Sequence, residues 1–168
     1  GTLTQVEIDA SVLDFSREHF ADFNAPVFDD PRFRVEIADG AVFAAETDRR
    51  FDVILVDSTD PTGPGAVLFT TEFYRNLKRI LRPGGIVVSQ NGVPFLQPDE
   101  FSKAMKGLSS VFGTATCYLV SVPTYFGGHM TLGWSTDNPA SLAVSEETLM
   151  ERMAGIETRY YTPAHHRA

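Results

Sequence analysis

The sequence predicts an α/β fold: a doubly wound, mostly parallel sheet that ends in an antiparallel strand pair. Three observations predict it. Apolar, β-branched runs alternate with segments of helical spacing along most of the chain. "FDVILVD" (51–57) is nearly all apolar, the pattern of a strand covered on both faces. The last two strand-like runs, 114–122 and 129–136, are joined only by the short "PTYFGG", which makes them antiparallel neighbours.

The elements follow in order. "TLTQVEID" (2–9) alternates like a strand, and residues 11–22 place Val12, Leu13, Phe15, His19 and Phe20 at near-helical spacing. "NAPVFDDP" (24–31) reads as a loop, "FRVEI" (33–37) as a strand, and "ADG" leads into a short helix near 41–47. Residues 70–81 have helical spacing and end at "RPGG", a stop signal. "GIVVSQN" (85–91) is the next strand. Pro98 opens a helix over 98–110 with Asp99 and Glu100 in its first turn, where acids suit the helix dipole. A last helix spans about 145–154. No repeat, low-complexity run or linker divides the 168 residues, so a single domain over 1–168 is expected.

Composition excludes several classes. Hydrophobic content of 43% and charged content of 21% are ordinary for a globular domain. No apolar run approaches the ~20 residues of a membrane helix, and no basic-then-apolar leader opens the chain. A cytoplasmic setting without a membrane partner is expected. The net charge of −8 and the lack of a Lys/Arg cluster argue against nucleic acid as a partner, and an acidic field attracts cations. Cys117 is the single cysteine, and "TATCYLV" reads as an apolar strand, so a core position is expected for it. His165 and His166 have no acid or cysteine at metal spacing, so no metal site is expected.

In a doubly wound sheet, ligands sit beyond the carboxyl ends of the strands. Acids and amides gather there: Glu7 and Asp9, Asp39 with Gly40, Asp57 and Asp60, then Gln90 and Asn91. Each has an ordinary alternative. Glu7 is placed to accept from two ribose hydroxyls, or to face a helix N-terminus. Asp39 is equally readable as a helix N-cap. Asp60 before Pro61 is a common turn pair. Two acids three residues apart are also what an amine nucleophile needs. An alkylammonium must lose a proton before it attacks, and a positioned carboxylate can take it. The second carboxylate can hold the far cationic end. Thr59, Gly63 and Gly65 let the backbone lie close to a ligand, and Tyr125 in "PTYFGG" offers a hydroxyl.

"VEID", "ADG", "FDVILVDSTDPTGP", "LFTTEFYRNLKRIL", "SQNGVPFLQ", "VPTYFGG" and "RYYTPAHHRA" occur in that order. Together they resemble spermidine synthase, of the aminopropyltransferase family, over essentially the whole chain. The ordered pair "DSTDPTGP" and "PTYFGG" carries most of the specificity. The resemblance implies a Rossmann-like sheet of the S-adenosylmethionine-dependent methyltransferase type. It implies transfer of an aminopropyl group from decarboxylated S-adenosylmethionine, a co-substrate, to a diamine, usually putrescine. The products are spermidine and 5′-methylthioadenosine, and no tightly bound cofactor takes part. It implies that Glu7 holds the ribose, that Asp39 and Gly40 meet the adenine, and that Pro64 and Leu68 pack beside it. Asp57 is then the base, Asp60 the amine anchor, and Gln90 and Tyr125 line the aminopropyl and diamine pocket. A homo-oligomer is expected.

The family's glycine-rich loop and small N-terminal β-domain would lie upstream of Gly1. The sheet of this chain is therefore expected to lack its first, central strand, and the isolated 168 residues to be impaired in turnover. Relatives often carry an aromatic residue where His129 and Met130 stand, which leaves the amine open. Two other readings stand beside this one: an S-adenosylmethionine-dependent N-methyltransferase, which the "DSTDPTGP" turn disfavours, and a non-catalytic polyamine- or nucleoside-binding remnant.

Overall fold

The computed structural model describes residues 1–167. Strand β1 (Leu3–Glu7) runs into helix α1 (Ala10–His19), whose N-cap Asp9 accepts from Ser11 N–H at 2.9 Å. Helix α2 (Ala21–Phe28) follows after one residue. The "NAPVF" stretch is therefore helix and not loop. Pro26 sits inside it, while Asn24 turns back to donate to the Ser16 carbonyl at 3.1 Å and so pins α2 against α1. Strand β2 (Phe33–Ile37) pairs in parallel with β1, Leu3 opposite Phe33 and Glu7 opposite Ile37.

Helix α3 (Gly40–Glu46) leads to β3 (Phe51–Val56), and a 3-10 segment over Gly63–Phe69 leads to α4 (Thr71–Ile80). Strand β4 (Leu81–Gln90), helix α5 (Pro98–Val111) and strands β5 (Thr114–Ser121) and β6 (His129–Thr136) complete a second sheet in the order β3-β4-β6-β5. β3 and β4 are parallel; β4–β6 and β6–β5 are antiparallel, as the short connection requires. Helix α6 (Glu146–Met153) and a 3-10 turn over Pro163–Arg167 end the described chain. "RPGG" ends α4 but is not a free turn. It is taken into β4, where Phe51 pairs with Leu81 and Val53 already pairs with Ile86, a bulge eased by Gly84 at φ +78.

The two sheets share no ladder among the described residues. β1 and β3 each keep one edge without a neighbour in the sheet. This is the arrangement expected for a doubly wound sheet without its central strand. Arg49, two residues before β3, bridges the sheets: it pairs with Glu36 and donates to Thr4 Oγ1, with its guanidinium 5.3 Å from the Phe51 ring centre. β3 therefore starts beside the start of β1, and both strands deliver their carboxyl ends to one edge of the fold.

The core lies on one face of the second sheet. Phe73, Tyr74, Leu77 and Ile80 line one side of α4 and meet Val87, Leu108, Phe112 and Ala44. Burial pushes the Tyr74 hydroxyl up to about 12. The opposite face is thinly covered: Val53 and Leu55 of β3 are 53% and 68% exposed, although their sequence reads as a fully buried strand. Cys117 is exposed, contrary to the expected core position. β5 is the edge strand of the sheet, and Thr116–Leu119 face solvent.

Asp137, just after β6, gathers three elements. Its carboxylate accepts from Lys78 of α4 at 2.9 Å and from Gly113 N–H ahead of β5 at 2.8 Å, while Lys78 also donates to the Val111 carbonyl of α5. The Lys78 hydrogen bond, then that of Gly113, holds the carboxyl below the usual range. A depressed folded value means stability present above the unfolded value of about 3.9 and lost as pH falls through the folded one. With half of the Asp137 side chain exposed, solvent screening limits the contribution. Asp137→Asn is expected to lower stability by about 1 kcal/mol near pH 7 and to flatten the acid limb, as denaturant titrations at pH 7 and pH 3 would show.

Candidate active site

The site is built at the carboxyl ends of β1 to β4. At the end of β1, Glu7 Oε1 accepts from Asp9 N–H at 3.0 Å, which fixes the carboxylate beside the N-terminus of α1. Asp39, two residues past β2, caps α3 by accepting from Ala41 N–H at 2.7 Å and Val42 N–H at 3.2 Å. The capping alternative for Asp39 is thus realised in full, with Gly40 as the first helical residue.

Asp57 follows β3 directly. Val56 pairs with Ser89 in parallel register, which sets Asp57 level with Gln90 on β4. Gln90 is 6% exposed, and its Oε1 is buried without a partner among the described residues. A buried amide oxygen left unpaired costs about 1–3 kcal/mol, so its acceptor is held ready for a donor. The Asp57 and Asp60 carboxylates are exposed and make no hydrogen bond or ion pair among the described residues. They are not spent on the turn: the turn is made by backbone, with Thr62 N–H donating to the Asp60 carbonyl at 2.7 Å.

The loop after Asp60 folds back on itself. A Cβ at Gly65 would lie 2.5 Å from Thr59 Oγ1 and 3.0 Å from the Asp60 carbonyl. Gly63 has φ +57, Pro64 stands exposed at the start of the 3-10 segment, and Leu68 near its end packs against the core cluster. Tyr125 sits half-exposed in the β5–β6 connection, its hydroxyl without a partner among the described residues. That connection is closed by bonds from Tyr125 N–H to the Val122 carbonyl and from Gly128 N–H to the Tyr125 carbonyl, both 2.9 Å.

The edge is open rather than enclosed. A groove of about 690 Å³ lies between residues 66–71 and α5, and it includes none of these residues. Bulky apolar side chains stand exposed at the strand ends and on the segments that follow them, among them Ile8 beside Glu7, Ile37 at the end of β2, Phe95 after β4 and Phe126 after β5. Among the described residues no three His, Cys, Asp or Glu side chains form a metal-holding group, and no helix is long and apolar enough to cross a membrane. Sequence reasoning missed the 3-10 segment over Gly63–Phe69 and the contact of Phe95 with Gly127. The "GPG" triplet was the available signal for the first.

Residues 1–145 match the spermine/spermidine synthase domain. The chain belongs to that family. A polyamine aminopropyltransferase of Ruegeria sp. (strain TM1040) is 50% identical over 168 residues, covering 99% of this chain and 59% of that protein. A crystal structure of spermidine synthase with the transition-state analogue AdoDATO matches 99% of this chain with a TM-score of 0.91 at 30% identity. Spermidine synthase from Thermotoga maritima matches with a TM-score of 0.88, also at 30% identity. The chain spans 59% of the length of the Ruegeria protein and 56% of the chain bound to AdoDATO. The fold is the mixed α/β, Rossmann-like, methyltransferase-type fold of the spermidine synthases, with its two sheets set as in those larger proteins.

Proposed function

We propose that the protein transfers an aminopropyl group from decarboxylated S-adenosylmethionine to a diamine of the putrescine class, giving spermidine and 5′-methylthioadenosine. The observation that carries the reading is at the end of β3. There the acidic turn presents two unpaired carboxylates, Asp57 and Asp60, and the register sets Asp57 level with Gln90, whose Oε1 has no partner among the described residues.

On the donor side, Glu7 takes the ribose hydroxyls, its carboxylate oriented by Asp9 N–H. The Asp39–Gly40 backbone, Pro64 and the exposed part of Leu68 flank the adenine. On the acceptor side, Asp60 anchors the distal ammonium, and Gln90 and Tyr125 accept from the amine and line the aminopropyl chain. Asp57 accepts the proton of the attacking ammonium. The freed nitrogen lone pair forms a C–N bond to the methylene beside the sulfonium. The C–S bond breaks, and its electron pair stays on sulfur as a neutral thioether. The leaving group needs no protonation, so positioning and deprotonation are what the protein supplies. Both substrates are cations, and the net charge of −8 favours their approach. The reading further places the protein in the cytoplasm as a homo-oligomer, without nucleic-acid or membrane partners, its exposed apolar side chains suiting an interface.

The test supplies each donor separately with putrescine. Methylthioadenosine from the decarboxylated donor, and none of the methyl-transfer product from S-adenosylmethionine, is the expected result; methylated amine would install the N-methyltransferase reading. Binding of methylthioadenosine or putrescine without any transfer would install the binding remnant. Gly65→Ala is expected to cut kcat/KM about 100-fold, because its Cβ displaces the Thr59–Asp60 turn by the order of 1 Å. The thermal midpoint should hardly move, since the loop is exposed.

A further inference from the structure

Two loops meet beside the amine end of the site, and one is far better anchored than the other. Residues 91–97 are fastened to β6 and to themselves. Asn91 N–H donates to the Thr131 carbonyl, and both Thr131 N–H and Thr131 Oγ1 donate to the Gly92 carbonyl, each at 2.9 Å. Val93 N–H donates to Gln97 Oε1 at 3.0 Å, and Gln97 N–H returns to the Val93 carbonyl at 2.9 Å. The neighbouring loop over 122–128 is closed chiefly by its own backbone bonds, and Pro123, Thr124, Tyr125 and Phe126 are all exposed.

Phe95 joins them. It stands at the tip of the anchored loop, 64% exposed, with its ring edge against Gly127 of the other. A Cβ at Gly127 would fall 2.6 Å from Phe95 Cζ and closer still to Cε1, and Gly127 has φ +93, so only glycine admits the ring there. A large aromatic ring left mainly in water is not a core residue. Its contact is with the backbone that carries Tyr125.

We propose that Phe95 is a positioning residue: it latches the 122–128 loop to the 91–97 loop and so sets the spacing between Tyr125 and Gln90. The latch itself is independent of the proposed reaction; its consequence for the amine rests on that reading. Gln90 is carried by β4 immediately before the anchored loop, so the tip contact references the exposed Tyr125 hydroxyl to the buried Gln90 amide. Losing it spoils acceptor placement more than donor placement, because the ribose and adenine contacts are assigned to β1, α3 and the 3-10 segment and not to either loop. A misplacement of the order of 1 Å can cost about 100-fold in rate.

The experiment makes Phe95→Ala and Phe95→Leu in the protein and reads two things. Hydrogen exchange at the Val122, Tyr125 and Gly128 amides should speed up at least about tenfold in Phe95→Ala, with Asn91 and Thr131 unchanged. Steady-state assays should show the putrescine KM raised about tenfold, the donor KM raised far less, and Phe95→Leu recovering most of the loss. Unchanged exchange in the loop would overturn the latch. Faster exchange with an unchanged putrescine KM, or an equal rise in both KM values, would overturn its role in amine placement. If the unsubstituted protein forms no aminopropyl product, the reaction reading fails, and the exchange measurement still decides the latch.

Discussion

Asp57→Asn is expected to lower kcat about 10²- to 10⁴-fold, the range supplied by a positioned general base. The substitution keeps shape and removes the proton acceptor. The strand end that carries it is set by the β3–β4 register, with Val56 opposite Ser89, and by apolar residues that the change does not touch. The fold should therefore survive. Binding of methylthioadenosine, measured by calorimetry, should be unchanged, because the ribose and adenine contacts are assigned to β1, α3 and the 3-10 segment. The loss should shrink as pH rises, because more of the amine arrives already deprotonated. A variant with full turnover would remove Asp57 as the base.

Asp60→Asn should act on a different constant. Its carboxylate is exposed and unpaired among the described residues, and its carbonyl already serves the turn through Thr62. Replacing the carboxylate costs the charge-assisted hydrogen bond to the distal ammonium. Such bonds are worth about 1.5–3 kcal/mol, which raises the putrescine KM about 10- to 100-fold. A monoamine of similar length lacks the distal cation, so it should lose nothing to the substitution. Saturation curves for putrescine and butylamine against both proteins would separate anchoring from general damage: equal losses for the two amines would deny Asp60 its role.

What the sequence made legible follows from how strongly each residue is constrained locally. β3 could be read because four consecutive apolar residues, 53–56, run into the acid Asp57, and α4 because Phe73, Tyr74, Leu77 and Ile80 repeat at helical spacing. α2 was misread because Pro26 and Asn24 have loop propensities, which the Asn24–Ser16 tether overrides. Cys117 was misread because an edge strand and a central strand have the same local pattern; only the sheet order β3-β4-β6-β5 tells them apart. "RPGG" stops the helix as read, yet its absorption into a bulge of β4 depends on pairing with a strand thirty residues earlier.

The site divides the same way. That acids collect at strand ends was visible from Glu7, Asp39 and Asp57, since a parallel sheet sends all its carboxyl ends to one edge. That Gln90 would be buried with an unpartnered oxygen was not, because burial depends on β6 closing over it. The Phe95–Gly127 contact was not legible either. It joins loops thirty-two residues apart, and neither loop alone shows why it holds an aromatic residue or a glycine.

The most direct measurement is the identity and ratio of the products formed from decarboxylated S-adenosylmethionine and putrescine in one reaction, followed by mass spectrometry. The account predicts spermidine and 5′-methylthioadenosine in equal amounts, with Asp57→Asn depressing both together. Methylthioadenosine released without a matching amine product would mean that the donor is cleaved by water, and would contradict the claim that the acids after β3 activate an amine.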